Sequence, residues 1–273
     1  MSINLYSISA EKLTESALIP VVVANSAGEI HYEFAIQMYN EIVKNNKNGK
    51  KTVFICPCGP TEQYEIFTRL VNANKVSLKD TWIINMDEYV MDHGDLIDET
   101  DRFSFKRVMD ECLYSKIDEE LIMPKEQRVF PDPKCPEKIL ELINQLGGVD
   151  ITFGGVALNG HVAFNEPEPE KTVAEFAELS TRIVELSMET RVKDAILGRG
   201  GAVDTVPKRG ITVGMKEILG AKKLRLSMTN DMQRAVVRKA LHGEITAACP
   251  VTFAQAHEDA VLYITKNVTE KPF

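Results

Sequence analysis

ITFGGVALNGHVAFNEP, residues 151–167, is the stretch on which the reading of the fold turns. Ile151, Thr152 and Phe153 are β-branched or aromatic and suit a buried strand. The glycines that follow, Gly154 and Gly155, let the chain turn and let another group come close to the backbone. Then come Asn159, Gly160 and His161, with Glu166 five residues beyond the histidine. His161 is thereby placed at the end of a strand, where ligands bind in open α/β sheets. Histidine takes and gives protons near neutral pH, and a nearby carboxylate sets its tautomer and raises its pKa. Taken alone, the pair also fits a loop histidine capped by a glutamate.

Working outward, a second stretch has the same construction. IINMDEYV, residues 83–90, is an apolar run that ends in two adjacent carboxylates and a tyrosine. If the strand continues, Asp87 and Glu88 point in opposite directions, so at most one of them faces a given pocket. On its own this stretch also reads as a solvated acidic turn.

Around these two, short β-branched runs alternate with helical patterns. Strands are expected over 20–24, 52–56, 81–85, 151–156, 211–213, 223–228 and 260–265. Ser26 is placed to cap a helix running through His31, Phe34, Met38 and Ile42, and another follows through Tyr64, Phe67 and Leu70. Further helices are expected over 102–113 and 137–146. This alternation predicts an α/β fold: a Rossmann-like open, mostly parallel sheet with helices on both faces, in one domain spanning 1–273. Residues 181–209 are the least regular, and Gly198, Arg199, Gly200 and Gly201 suit a mobile loop better than a helix interior.

Composition narrows the function classes. The formal net charge of −8, with no local Lys/Arg run, argues against a nucleic-acid partner, because a polyanion needs a basic face. No apolar run approaches the length of a membrane span, and the N-terminus has no charged region leading into an apolar one, so a cytoplasmic location is expected. The five cysteines are an odd number without a disulfide framework, in keeping with a reducing compartment. Cys56-Pro57-Cys58 is not C-x-x-C and no second pair has ligand spacing, so no metal site is expected.

Asn85-Met86-Asp87-Glu88-Tyr89 and Gly160-His161-Val162-Ala163-Phe164-Asn165-Glu166-Pro167 together resemble the glucosamine-6-phosphate deaminase family, whose hallmarks are a strand ending in NMDEY and a later GHxAFNEP. Thr190-Arg191-Val192, then Val206-Pro207-Lys208 and Thr212-Val213-Gly214, are similar to further family blocks in the same order. The resemblance covers roughly residues 20 to 265. It implies a small-molecule sugar phosphate as the partner and a reaction that needs no metal or organic cofactor. It also implies that 181–209 is a lid over the sugar, and leaves a homo-oligomer open, since the family's enzymes are often homo-oligomers. It makes Asp87 the group that moves a proton between two sugar carbons, and His161, oriented by Glu166, the group that opens the ring.

Two departures stand out. The family has Asp in the run NDGH where this chain has Asn159, which can hydrogen-bond the imidazole but brings no charge to an imidazolium. The family's P-T-G-G-T loop, whose N–H groups cradle the sugar phosphate at a helix start, is replaced by Pro57-Cys58-Gly59-Pro60-Thr61. Pro60 removes a donor, and Glu62 places a carboxylate in the first helical turn, where it competes with an anion or simply caps its own helix. The anion-binding candidates are Gly59, Thr61, Arg199, Lys208 and Arg234, with the site displaced from the usual cradle towards the arginines. Three readings remain open: an amino-sugar-phosphate deaminase or isomerase, a relative acting on a different sugar acid or phosphate, and a non-catalytic sugar-phosphate sensor.

Overall fold

The computed structural model describes residues 4–273. In chain order the elements are α1 (Ala10–Glu15), β1 (Val21–Ala24), α2 (Ala27–Lys47), β2 (Thr52–Cys56), α3 (Glu62–Asn74), β3 (Thr81–Asn85), β4 (Asp87–Val90), α4 (Phe105–Cys112), β5 (Arg128–Val129), α5 (Lys138–Leu146) and β6 (Ile151–Gly155). They continue with α6 (Val173–Ala177), β7 (Arg182–Glu185), α7 (Met188–Gly198), β8 (Arg209–Thr212), α8 (Met215–Leu219), β9 (Lys223–Met228), α9 (Arg234–His242), β10 (Ala260–Thr265) and α10 (Lys266–Thr269). Seven strands form one parallel sheet in the order β1-β10-β9-β6-β2-β3-β5. The expected open sheet is present.

Strand β2 is buried along its whole length and β6 along all but its last residue, as fits a sheet covered on both faces. On β2, Val53 and Ile55 join a core with Leu13, Ile139, Ile143, Val237 and Leu241, while Phe54 and Cys56 join a second with Phe34, Tyr64, Phe67 and Met109. Helices α1, α5 and α9 therefore lie on one face, and α2, α3 and α4 on the other. Ser26 caps α2 as expected, its hydroxyl accepting from the Glu29 N–H at 3.3 Å. That helix buries Ile30, Phe34, Met38 and Ile42 at four-residue spacing, each burial contributing about 1.5–3 kcal/mol. The helix expected over 102–113 begins later, at Phe105, because the Ser104 hydroxyl accepts from the Arg107 N–H and sets the start there.

The strand order locates the crevice. From β2 the chain proceeds through β3 and β5 towards one edge, whereas from β6 it proceeds through β9 and β10 towards the other. The loops after β2 and β6 diverge, which opens a crevice at their carboxyl ends. The two loops meet there at Gly155, where a Cβ would stand 2.8 Å from Pro60 Cδ, so this close approach requires glycine.

A second, antiparallel sheet, β4-β8-β7, sits beyond this edge. The Val213 N–H donates to the Met86 carbonyl at 2.7 Å and joins it to the end of β3. Its strand β7 and helix α7 occupy about half of the region 181–209 expected to be irregular, which corrects that expectation. The glycine run does not interrupt a helix. Gly198 is the last residue of α7, and Gly200 and Gly201, both at positive φ, turn the chain away after it. Among the described residues no helix is long and apolar enough to cross a membrane. All five cysteines are free.

Candidate active site

After β6 the chain makes a tight turn, with the Gly160 N–H donating to the Ala157 carbonyl and the Ala157 N–H to that of His161. Gly160 has φ +92°, and a Cβ there would stand 2.7 Å from Cys249 Sγ, so both conformation and space call for glycine. The turn delivers a buried His161 whose Nδ1 lies 3.3 Å from Glu166 Oε2 and 3.3 Å from Thr190 Oγ1. The Thr190 hydroxyl donates to Glu166 Oε1 at 2.6 Å. Its hydrogen being used there, both oxygens facing Nδ1 act as acceptors, so Nδ1 carries the imidazole proton and Nε2 keeps the lone pair. Glu166 also accepts from the Ser187 N–H at 3.1 Å and from Asn159 Nδ2 at 2.7 Å. Burial opposes charge on Glu166, but the His161 hydrogen bond and charge, with the bonds from Thr190 and Ser187, outweigh it and hold the carboxyl down at about 2.

Asn159 does not bond the imidazole, contrary to expectation. Its amide nitrogen goes to Glu166, and its oxygen accepts from the backbone N–H of His161 at 3.2 Å. The turn at Gly160 folds the side chain back over its own backbone, so it positions the loop and the carboxylate instead of the ring.

Asp87 opens β4 and Glu88 follows it, the two pointing to opposite faces as the strand continues. Glu88 is structural: its carboxylate accepts from the N–H groups of Phe105 and Lys106 and from the Ser104 hydroxyl, satisfying the first turn of α4. Asp87 faces the other way. Its partner across the ladder is Thr212, whose hydroxyl accepts from the Phe164 N–H at 3.0 Å. Paired residues share a face of the sheet, so Asp87 lies on the side to which the loop carrying His161 and Glu166 is fastened. Tyr89, two residues on and on that same face, packs its ring 5.4 Å from that of Phe164, itself 6.3 Å from the His161 ring. Burial, then the neighbouring Glu88 and Asp194 charges, push the Asp87 carboxyl up to about 8, against the pull of Lys193 and a hydrogen bond from Cys58.

Two buried carboxyls have thus been shifted in opposite directions, one of them bonded to a histidine of defined tautomer. A glucosamine-6-phosphate deaminase of Shewanella loihica is 31% identical to this chain over 238 residues, covering 85% of the chain and 83% of that protein. The chain belongs to the glucosamine-6-phosphate deaminase family. Another member, from Mycoplasma mycoides, is 29% identical over 87% of this chain and 91% of its own length. No protein-family profile matches the chain. The fold agrees with the solved structure of a monomeric glucosamine-6-phosphate deaminase, at a TM-score of 0.79 and 23% identity, covering 92% of this chain and 98% of that one. It agrees less closely with a 6-phosphogluconolactonase of Trypanosoma cruzi, at 0.64 and 14% identity over 92% and 95%.

Three of the five anion candidates are already bonded within the chain. Thr61 precedes α3, and its N–H donates to the Glu62 carboxylate at 3.0 Å, so Glu62 does cap its own helix. Arg199, at the end of α7, is held by Asp101 at 2.7 Å and lies over the Phe103 ring at 4.2 Å. Arg234, opening α9, bonds the Asn267 carbonyl and pairs with Asp231 and Glu270. Lys208 is exposed just before β8, and Gly59 is exposed in the loop after β2. Among the described residues no hydrogen bond or ion pair links any two of the five, and no group of three or more His, Cys, Asp or Glu is placed to hold a metal ion.

Helix α7 supplies groups that the sequence reading did not single out. Ser187 caps the helix through the Thr190 N–H and also donates its own N–H to Glu166. Asp194 accepts from the Tyr89 hydroxyl at 2.8 Å, and Lys193 pairs with Asp194 at 2.9 Å. The signal was present as Ser187 with an acidic residue, Glu189, in the following turn, which marks a helix start.

Proposed function

We propose that this protein is an amino-sugar-phosphate deaminase that converts glucosamine 6-phosphate and water to fructose 6-phosphate and ammonia. His161 takes the C1 hydroxyl proton on Nε2 and returns it to the ring oxygen, which opens the ring. Glu166 holds the imidazole's other nitrogen and stabilises the imidazolium while the proton is in transit. Asp87 removes the C2 proton and delivers it to C1 while a proton passes from the amine to the C1 oxygen, leaving an imine at C2 and a hydroxyl at C1. Water then replaces nitrogen there, and ammonia leaves. The observation that carries this reading is the divergence of the two carboxyls, Glu166 held ionised at about 2 and Asp87 at about 8, because environments that push pKa values apart assign the acid and base roles. A base that titrates near the working pH is also the efficient one.

A second reading, a relative acting on a different sugar acid or phosphate, draws support from the Glu62 carboxylate bonded at the start of α3. Assays of ammonia release and ketose formation across hexosamine, hexose and sugar-acid phosphates separate the two. Activity on glucosamine 6-phosphate supports the first, whereas inertness towards it with turnover of another phosphate overturns it. His161→Gln should lose most activity on the cyclic sugar and regain part of it when the substrate is supplied in open-chain form. Equal loss on both forms would remove His161 from ring opening.

A further inference from the structure

Helix α7 is attached to the Asp87 face of the site by a charged pair. Asp194 receives the Tyr89 hydroxyl at 2.8 Å, and Tyr89 stands on the same face of β4 as Asp87. The side chains of Lys193 and Asp194, 2.9 Å apart, are only 22% and 11% exposed. A salt bridge so placed is poor evidence of a stabilising role, since burying the two charges offsets most of their attraction. Its position suggests a different use. The groups with charge or titratable protons around Asp87 are Glu88 and Tyr89 on its own strand, Cys58 from the loop after β2, and Lys193 and Asp194 from α7, with the His161–Glu166 pair carried by the loop fastened to the same face through Thr212. β8 contributes the uncharged Thr212. Lys193 is the cation among those acting on Asp87, and it opposes Glu88 and Asp194 there.

We propose that Lys193 is a positioning residue of the reaction: held by Asp194, it lends its charge to the Asp87 carboxylate, so that α7 supplies the electrostatic support with which the base takes the substrate's proton. The inference rests on Asp87 being that base. Tyr89 and Asp194 set how closely the ammonium is presented. Lys193, against Asp194, keeps a fraction of a carboxyl buried beside Glu88 ionised near neutral pH. Without the cation, a smaller fraction of Asp87 would be ionised at neutral pH and able to accept a proton from carbon.

The test is a titration of Asp87 in the full-length protein with 13C-labelled aspartate carboxyls, its signal assigned by its loss in Asp87→Asn. This readout needs no turnover. Lys193→Met should move the Asp87 midpoint upward by about one pH unit or more, Asp194→Asn should move it downward, and Lys193→Arg should leave it nearly in place. With glucosamine 6-phosphate as the probe, the ascending limb of kcat/KM against pH should follow the same shifts, an approximately tenfold loss at pH 7 accompanying each unit upward. Opposite shifts from the two neutralising variants are the signature of charge. If both midpoints stay put, or both move the same way, Lys193 serves only to hold α7 and the inference fails. An Asp87→Asn variant that still turns over would instead remove Asp87 as the base, while leaving the carboxyl titration to report on Lys193 separately.

Discussion

The loop after β6 and the start of α3 flank one crevice, yet they use their polar groups in opposite ways. Around His161 every internal bond prepares a group for chemistry: Asn159, Ser187 and Thr190 all donate to Glu166, which keeps it charged and leaves the imidazole Nε2 available. At α3 the chain answers itself. The Thr61 N–H is taken by the Glu62 carboxylate, and His31 Nε2, buried and without a hydrogen bond, lies 3.8 Å from that same carboxylate. The loop after β6 gathers motif residues into one hydrogen-bonded cluster around Glu166, whereas the start of α3 carries a carboxylate of its own. The two halves of a binding crevice can therefore diverge separately, since one is defined by acid-base geometry and the other by charge.

The sharpest break in that comparison is Asp87→Asn. Loss of the base should lower kcat on glucosamine 6-phosphate by about 10² to 10⁴ while substrate binding changes little. The same substitution should stabilise the protein. A carboxyl raised from 3.8 to about 8 binds its proton more tightly in the folded state, so its contribution to stability falls as pH rises between those values. The asparagine is free of this penalty, and its advantage over wild type, on the order of a few kcal/mol at pH 8, should vanish near pH 4. Melting temperatures of both proteins across that range check the sign. Equal pH dependence would mean that Asp87 is ionised freely and is no tuned base.

Asn159→Asp comes next and separates a contact with the ring from a contact with the carboxylate. Were the side chain aimed at the imidazole, an aspartate would support the imidazolium and raise activity. Aimed at Glu166, it sets two carboxylates against each other across a bond that is now 2.7 Å long. One of them must then hold a proton, and the charge that orients His161 is weakened. Loss of a hydrogen bond to a charged group, about 1.5–3 kcal/mol, corresponds to a fall of about 10- to 100-fold in kcat/KM. The carboxyl at about 2 contributes stability that is present above 4.5 and lost as pH falls towards 2, so the variant, which gives up that contribution, should be less stable than wild type near neutral pH and approach it as pH falls towards 2. An increase in activity would restore the imidazole contact.

How much of this could be read beforehand follows from where the information lies. The strands at Thr52–Cys56, Thr81–Asn85 and Ala260–Thr265 are largely apolar on both faces and stand out in any window, and Lys223–Met228 stands out by alternating Leu224, Leu226 and Met228 with Lys223, Arg225 and Ser227. β4 and β7 do not, because Asp87, Glu88, Arg182 and Glu185 interrupt the pattern with charges whose partners are distant in sequence. β5 is two residues long and is defined by its pairing, with Asn85 Nδ2 bonding the Val129 carbonyl at 2.9 Å. Helix α7 was obscured by the glycines that end it. In the site, Asp87, His161 and Glu166 were legible as residue types at strand ends. The target of Asn159 was not, since it depends on the backbone turn at Gly160, and neither were Lys193 and Asp194, which read as an ordinary solvated pair until Tyr89 is placed beneath them.

The smallest expected effect tests the other half of the crevice. Glu62→Gln removes a charge from the first turn of α3 and weakens its hold on the Thr61 N–H, while keeping the side chain's size. A single exposed charge at a helix start acts through the partial positive charge of that terminus, so the change in anion affinity should be about two- to fivefold. Inorganic phosphate should then raise the melting temperature of the variant more than that of wild type, and KM for glucosamine 6-phosphate should fall with kcat unchanged, because binding is strengthened equally in the ground and transition states. High salt should erase the difference, as expected for an exposed charge. If KM rises instead, Glu62 contacts the substrate directly and favours a cationic or hydroxyl group at that end of the sugar. If neither quantity moves, the anion is received away from α3, and the arginines that now bond Asp101, Asp231 and Glu270 would have to exchange those partners to receive it.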